Sequence, residues 1–275
     1  LLKGIIIQSG NDATVALAEY VGGTEDGFVD LMNSYAASMG LSNTLFQNST
    51  GLPDGNHFSS AKDLATMTSL LINNFPETYS LYKEKYYTFN NIRQPNRNRL
   101  LWKDNSSDGV KTGHTESAGY CLISSAKRND MRLIAVVAGA KSDKDRFNDT
   151  QRLLEYGFRF YSTQEVIKKD NALKDVDVWG GKKDLVSLGA ENNIKLTLPR
   201  TTFRNITISY DFQNNLRAPI KEGQTLGTLV IKDGEKTLHT ENLVALNDVE
   251  AKGFFGRLWA SLVLWFRGLF GLGDA

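Results

Sequence analysis

The chain has 275 residues, of which 41% are hydrophobic and 23% charged, a balance that suits one large or two ordinary soluble domains and excludes a disordered or wholly membrane-embedded chain. Its 32 basic residues are matched by 31 acidic ones, so the charge surplus that nucleic acid attracts is missing and no nucleic-acid partner is expected. The single cysteine, Cys121, excludes an intrachain disulfide and a cysteine-based zinc site. The three histidines, His57, His114 and His239, lie far apart without a His-Glu-x-x-His pattern, so neither a metal nor a cofactor is expected.

The chain starts at Leu1 without methionine, and the short apolar run Ile5 to Ile7 lacks the basic flank and length of a secretory signal, so an upstream segment is expected to have been removed. Thr24 reads as the N-cap of a helix carrying Phe28, Leu31, Met32, Tyr35 and Met39 at helical spacing, with Gly40 as its stop. A second helix begins at Ser60, where Asp63 completes a capping-box-like pair ahead of Leu64, Met67 and Leu71. Pro76 suits the first turn of a third. From Val110 the pattern becomes strand-like: Tyr120 to Ser124 and Leu133 to Ala140 read as two strands joined by a turn around Arg128, Asn129 and Asp130. The second run is almost wholly apolar, as in a buried sheet. Phe147, Leu154, Phe158 and Tyr161 then recur at helical spacing, predicting a helix laid across that sheet. A domain boundary is placed near residue 165.

Residues 166–247 alternate with period two at Val176 and Val178, at Ile194, Leu196 and Leu198, and at Ile206, Ile208 and Tyr210, which predicts half-buried strands. Turn signals at Gly180-Gly181, Asn192-Asn193, Asn214-Asn215 and Asp233-Gly234 divide them into a small all-β domain, a spacer or docking module with no catalytic cluster. Residues 248–275 are rich in aromatic and aliphatic residues, but only nine residues separate Arg257 from Arg267, fewer than the roughly 20 a bilayer span needs. Phe255, Leu258, Leu262, Phe266 and Leu269 share one helical face, with Trp259 and Trp265 beside it. The segment reads as an amphipathic helix lying in a membrane surface, the alternative being a helix docked on the protein itself.

Two triplets carry chemistry. Ser9-Gly10-Asn11 is weak alone, since Ser9 or Asn11 would also cap a helix starting near Asp12. Lys111-Thr112-Gly113 is rarer and falls where a strand should begin, its plain reading being a turn into a hairpin. In this order and spacing the triplets resemble the second and third motifs of serine penicillin-binding proteins and serine β-lactamases. The residues around them, Leu2-Lys3-Gly4-Ile5, Asn96-Arg97-Asn98 before Leu100-Leu101-Trp102, and Asp108-Gly109-Val110 leading into Lys111 to Thr115, resemble D-alanyl-D-alanine carboxypeptidases of the low-molecular-weight penicillin-binding protein family. The resemblance is close over residues 1–162 and extends through the β domain and tail.

It implies an α+β fold: a serine β-lactamase/transpeptidase-like domain, with an antiparallel sheet flanked by helices over residues 1–165, then the all-β domain and the membrane-anchoring helix. The implied reaction removes the terminal D-alanine from peptidoglycan pentapeptide through an acyl-enzyme, on the periplasmic face of the bacterial inner membrane, with β-lactams as inhibitors. In that scheme Ser9 relays a proton to the departing amine and Asn11 holds the substrate carbonyl. Lys111 supplies a fixed positive charge for the substrate carboxylate, to which Thr112 also donates. Gly113 leaves the strand edge open to the peptide, and the His114 N–H completes an oxyanion hole. Arg146 resembles a further carboxylate contact, a plain surface arginine being the alternative, and Arg97 is a weaker candidate.

One motif departs from the family pattern. Its Ser-x-x-Lys tetrad belongs upstream of Ser9, whereas Ser59 to Lys62 and Ser124 to Lys127 follow it in the wrong order, so the nucleophile is expected to be missing and residues 1–275 inactive by themselves. Two rival readings are a serine β-lactamase, disfavoured by Gly10 where that branch usually carries aspartate, and a non-catalytic peptidoglycan-binding protein.

Overall fold

The structure, a computed structural model, describes residues 1–213 and 215–253. The chain divides into two compact units between Phe160 and Tyr161. The first opens with a π-helical turn, Gly4–Gln8, followed by α1 (Asn11–Gly22), α2 (Glu25–Ser38), α3 (Ala61–Asn74) and α4 (Pro76–Tyr79). A hairpin of β1 (Tyr86–Phe89) and β2 (Ile92–Pro95) and the short α5 (Leu100–Lys103) lead into β3 (Ser107–Thr115), β4 (Gly119–Arg128) and β5 (Met131–Ala140). The last element, α6, spans Asp143–Phe160.

The helix starts follow from their caps: Thr24 Oγ1 accepts from the Gly27 N–H at 3.0 Å and Ser60 Oγ from the Asp63 N–H at 3.1 Å, each satisfying one donor that the first helical turn leaves without a partner. Only half of the capping box forms at Ser60. The buried Asp63 carboxylate accepts instead from the Asn43 N–H and the Thr44 hydroxyl, both at 2.8 Å, and so ties the loop after α2 to α3.

Strands β3, β4 and β5 make one antiparallel sheet in chain order, which leaves β3 at an edge. The two-residue turn Asn129-Asp130 joins β4 to β5, with Asn129 at φ 52°, the left-handed conformation that such turns demand and asparagine tolerates. Helix α6 buries Phe147, Leu154 and Phe158 and packs on β4 and β5. Gly157 permits the approach, because a Cβ there would collide with Leu133.

Two local readings change. The β1–β2 hairpin was not anticipated, although its Asn90-Asn91 turn, with φ of 48° and 62°, carries the residues a tight hairpin favours. Tyr161, expected at the end of a helix, opens a strand instead: its period of about 3.6 with Phe158 is outweighed by pairing with Pro199. The second unit contains β6 (Tyr161–Ile167), β7 (Lys174–Trp179), β8 (Leu185–Ala190), β9 (Ile194–Pro199), β10 (Ile206–Phe212), β11 (Leu216–Arg217), β12 (Thr225–Asp233) and β13 (Lys236–Ala245). β6 pairs with β9. The other six form a sheet in the order β10-β12-β13-β8-β7-β11 around a core that includes Val186, Leu188, Leu229, Ile231 and Leu243.

Candidate active site

Ser9 is held by its backbone before its side chain does anything. Ile6 and Ile7 are buried, which fixes the turn before it, and the Ser9 N–H donates to the Ile5 carbonyl at 3.1 Å. Gln8 Nε2 donates to the Pro95 carbonyl at 2.8 Å, joining this turn to the segment that carries Arg97. Ser9 itself sits at φ 57°, ψ 42°, a left-handed conformation that costs a non-glycine residue on the order of 1 kcal/mol and recurs at functional sites. Neither Ser9 nor Asn11 caps α1. The N-cap is Gly10, with no side-chain cap, and Asn11 is the first helical residue.

Lys111 was expected at the start of a strand. It lies inside β3, because Ser107 to Val110 already pair with β4. The Asp108-Gly109 pair hides this in the sequence by resembling a turn; the glycine is required by packing, since a Cβ on Gly109 would lie 2.7 Å from the Tyr79 hydroxyl. Buried polar contacts fix the start of β3. The Gly109 carbonyl accepts from Asn98 Nδ2 at 2.9 Å and Ser124 Oγ at 3.0 Å, and Asp108 accepts from the Tyr79 hydroxyl and Arg132, both at 2.9 Å.

So anchored, β3 presents Lys111 to the Ser9 turn. The Lys111 ammonium donates to Ser9 Oγ, 102 residues away in the chain, and to the Thr112 carbonyl at 2.9 Å. Burial first, then the positive charges of Arg97 and Arg146, push the Lys111 pKa down to about 8. The positive charge that the sequence reading takes as fixed is thus held less firmly than on an exposed lysine, and weakens toward alkaline pH.

One cleft of about 1040 Å³ is lined by Ser9, Asn11, Arg97, Lys111, Thr112, Gly113, His114 and Arg146, so the structure brings all eight sequence-derived candidates together. It runs along β3, whose far edge is paired with no strand among the described residues. The His114 ring rests on Tyr120, with centroids 3.9 Å apart. Arg146 is no surface arginine: it is 7% exposed, donates to the Gly113 carbonyl at 3.1 Å, pairs with Asp143 and lies over the Tyr120 ring.

The sequence reading missed a further part of the cleft lining, Ser49 to Leu52. There Asn48 Oδ1 accepts from the Gly51 N–H at 2.7 Å and the Leu52 N–H at 3.2 Å, while Glu25 on α2 accepts from the Ser49 N–H at 3.0 Å. The Asn-Ser-Thr-Gly run was the available signal. The two misplaced Ser-x-x-Lys matches have structural explanations. Ser60 caps α3 while Ser59 meets Thr44 at 2.8 Å; Ser124 is fully buried, and its spacing from Lys127 puts the two on opposite faces of β4. The residues expected to face a membrane, Phe255, Leu258, Trp259, Leu262, Trp265, Phe266 and Leu269, lie outside the described residues.

Residues 1–142 match the family described as D-alanyl-D-alanine carboxypeptidase, and residues 161–251 match the C-terminal domain of penicillin-binding protein 5. The D-alanyl-D-alanine carboxypeptidase DacC of Escherichia coli K12 is 48% identical over 273 residues, covering 98% of this chain and 68% of the relative. The crystal structure of penicillin-binding protein 5 from Haemophilus influenzae superposes with a TM-score of 0.76 at 41% identity, over 90% of this chain and 73% of that one. Penicillin-binding protein D2 of Listeria monocytogenes, solved in its cefotaxime-bound form, matches at TM-score 0.53 and 34% identity, over 57% of this chain and 64% of that one. By these matches, the chain belongs to the D-alanyl-D-alanine carboxypeptidase family of penicillin-binding proteins.

Proposed function

We propose that this protein is a serine-type D-alanyl-D-alanine carboxypeptidase that removes the terminal D-alanine from peptidoglycan stem peptides, in cell-wall synthesis and the control of cell shape. The observation that carries this reading is the convergence of Lys111 on Ser9 within a cleft that also holds Arg97 and Arg146. A cleft lined by these three cationic side chains, one of them on a serine hydroxyl, suits a peptide whose reacting bond lies one residue from a carboxylate. Lys111, Thr112 and Arg146 receive that carboxylate, and the open edge of β3 takes the peptide as an added strand with Gly113 leaving room.

The nucleophile in this reading is the serine of a Ser-x-x-Lys tetrad ahead of Ser9. Its hydroxyl proton goes to the lysine of that tetrad as its oxygen attacks the penultimate D-alanine carbonyl, whose oxyanion the His114 N–H helps to hold. As the C–N bond breaks, the Ser9 hydroxyl passes a proton to the leaving amine, and Asn11, an amide that does not titrate, steadies the substrate carbonyl. Water then hydrolyses the acyl-enzyme. β-Lactams, which also present a reactive carbonyl and a carboxylate, acylate the same serine, a reading supported by the Listeria relative solved in a cefotaxime-bound form. Residues 254–275 attach the protein to the periplasmic face of the inner membrane; among the described residues no helix is long and apolar enough to cross a bilayer.

The test uses protein expressed from the complete coding sequence, following D-alanine release from pentapeptide and labelling by a fluorescent penicillin. Both are expected, and both should collapse in Lys111→Ala with the circular dichroism spectrum unchanged. Rapid penicillin turnover would move the assignment to a β-lactamase. An open frame without an upstream Ser-x-x-Lys, and no labelling, would make the protein a peptidoglycan-binding module.

A further inference from the structure

Arg146 already holds a carboxylate. Its guanidinium pairs with Asp143, donates to the Gly113 carbonyl at 3.1 Å and to the Cys121 carbonyl at 3.5 Å, and lies over the rings of Tyr120 and Phe147. Its Nε is buried and has no hydrogen-bond partner among the described residues. Asp143 is shared: its other oxygen lies 3.1 Å from Arg99, whose side chain is 67% exposed. Arg99, Asp143 and Arg146 line the same cleft as Lys111. The protein's own carboxylate thus occupies, on a buried arginine, the kind of position that a peptide's C-terminal carboxylate would take.

We infer that Asp143 is an internal competitor for Arg146, which the substrate carboxylate displaces toward Arg99 and which thereby sets how strictly the cleft demands a free C-terminus. The physical reasoning concerns where the negative charge sits. While Asp143 neutralises Arg146, an incoming carboxylate gains little there; once Asp143 leans on Arg99 alone, the buried guanidinium gains a new partner and Asp143 keeps one. Arg99, mostly in water, pays little for the exchange. Asp143 is in this scheme a specificity-determining residue, and the inference rests on the carboxylate-binding reading of the cleft given above.

The two partners of Asp143 give opposite signs, which a merely structural role would not. In the full-length protein, Asp143→Asn should lower KM for an acyl-D-Ala-D-Ala peptide by about tenfold, the scale of a partly buried charge pair, with kcat nearly unchanged. Arg99→Ala should raise KM several-fold, because Asp143 then pairs with Arg146 alone. The inhibition constant of the same peptide with an amidated C-terminus, competing against a fluorescent penicillin, should not move in either variant. If Arg146→Ala raises KM but Asp143→Asn leaves it unchanged or raises it, the competitor role is wrong and the carboxylate site stands. If Arg146→Ala leaves KM unchanged, the carboxylate-binding reading falls, and the competitor role with it.

Discussion

Replacing Asn98 by alanine isolates what holds β3 in place. Asn98 is 1% exposed; its Nδ2 donates to the Gly109 carbonyl at 2.9 Å and its Oδ1 accepts from the Leu100 N–H at 3.1 Å. Alanine removes both bonds. The Gly109 carbonyl keeps Ser124 Oγ at 3.0 Å, so its loss is about 1 kcal/mol, but the N–H of the fully buried Leu100 is left without a partner, which costs about 1–3 kcal/mol. The sum is about 3 kcal/mol, or roughly a 6–12 °C fall in Tm for a unit of this size. Urea unfolding followed by tryptophan fluorescence should show the lower midpoint with an unchanged slope. Because Gly109 lies two residues before Lys111, penicillin labelling below both midpoints should also slow. Asn98→Asp is the sharper test: it keeps the acceptor for Leu100 but turns a buried negative charge on the Gly109 carbonyl, so it should be worse than alanine. A loss under about 0.5 kcal/mol in Asn98→Ala, or an aspartate variant more stable than the alanine one, would refute the reasoning.

Three further outcomes are expected. Acylation by penicillin should fall as pH rises through about 8, the value to which burial, Arg97 and Arg146 lower Lys111, since the charge that draws the carboxylate is present below that pKa and lost above it; Lys111→Arg should shift this alkaline limb out of range, and an unchanged limb would assign it to another group. Gly113→Ala should leave stability within about 0.5 kcal/mol, because the added Cβ meets only Cys121 Cβ at 3.8 Å, while slowing labelling if the peptide lies against this edge; equal labelling would remove Gly113 from the substrate path. Deleting residues 254–275 should release the protein from membranes without lowering peptide cleavage. The cut belongs after Gly253, since Lys252 N–H still donates to the Gly180 carbonyl at 2.7 Å and Ala251 bridges Gly181, and continued sedimentation with membranes would contradict the anchor.

The local chemistry of the chain was legible from its letters. Thr24, Ser60 and Pro76 mark helix starts through contacts within one turn, and Asn129 marks the β4–β5 turn for the same reason. The two candidate triplets could be recognised because each depends on a few adjacent residue types. Strands were harder. β8 and β13 lie within the six-stranded sheet and bury residues on both faces, so the alternation that reveals an exposed strand is weak there, whereas β7, β9 and β10 kept it. At Asp108-Gly109 the letters misled, since a glycine required by Tyr79 reads as a turn.

By itself, the sequence determined several helix starts, the change of texture from an α+β unit to a β unit, and the residue types present in the two triplets, because these depend on propensity, periodicity and nearest neighbours. Only the tertiary structure decided that Lys111 meets Ser9, that burial and two arginines lower its pKa, that Arg146 is buried on Asp143, and that Asn98 props β3. Each depends on which groups meet in space and how much water is left around them, as when Lys111 reaches Ser9 across 102 residues of chain, and no local pattern records that.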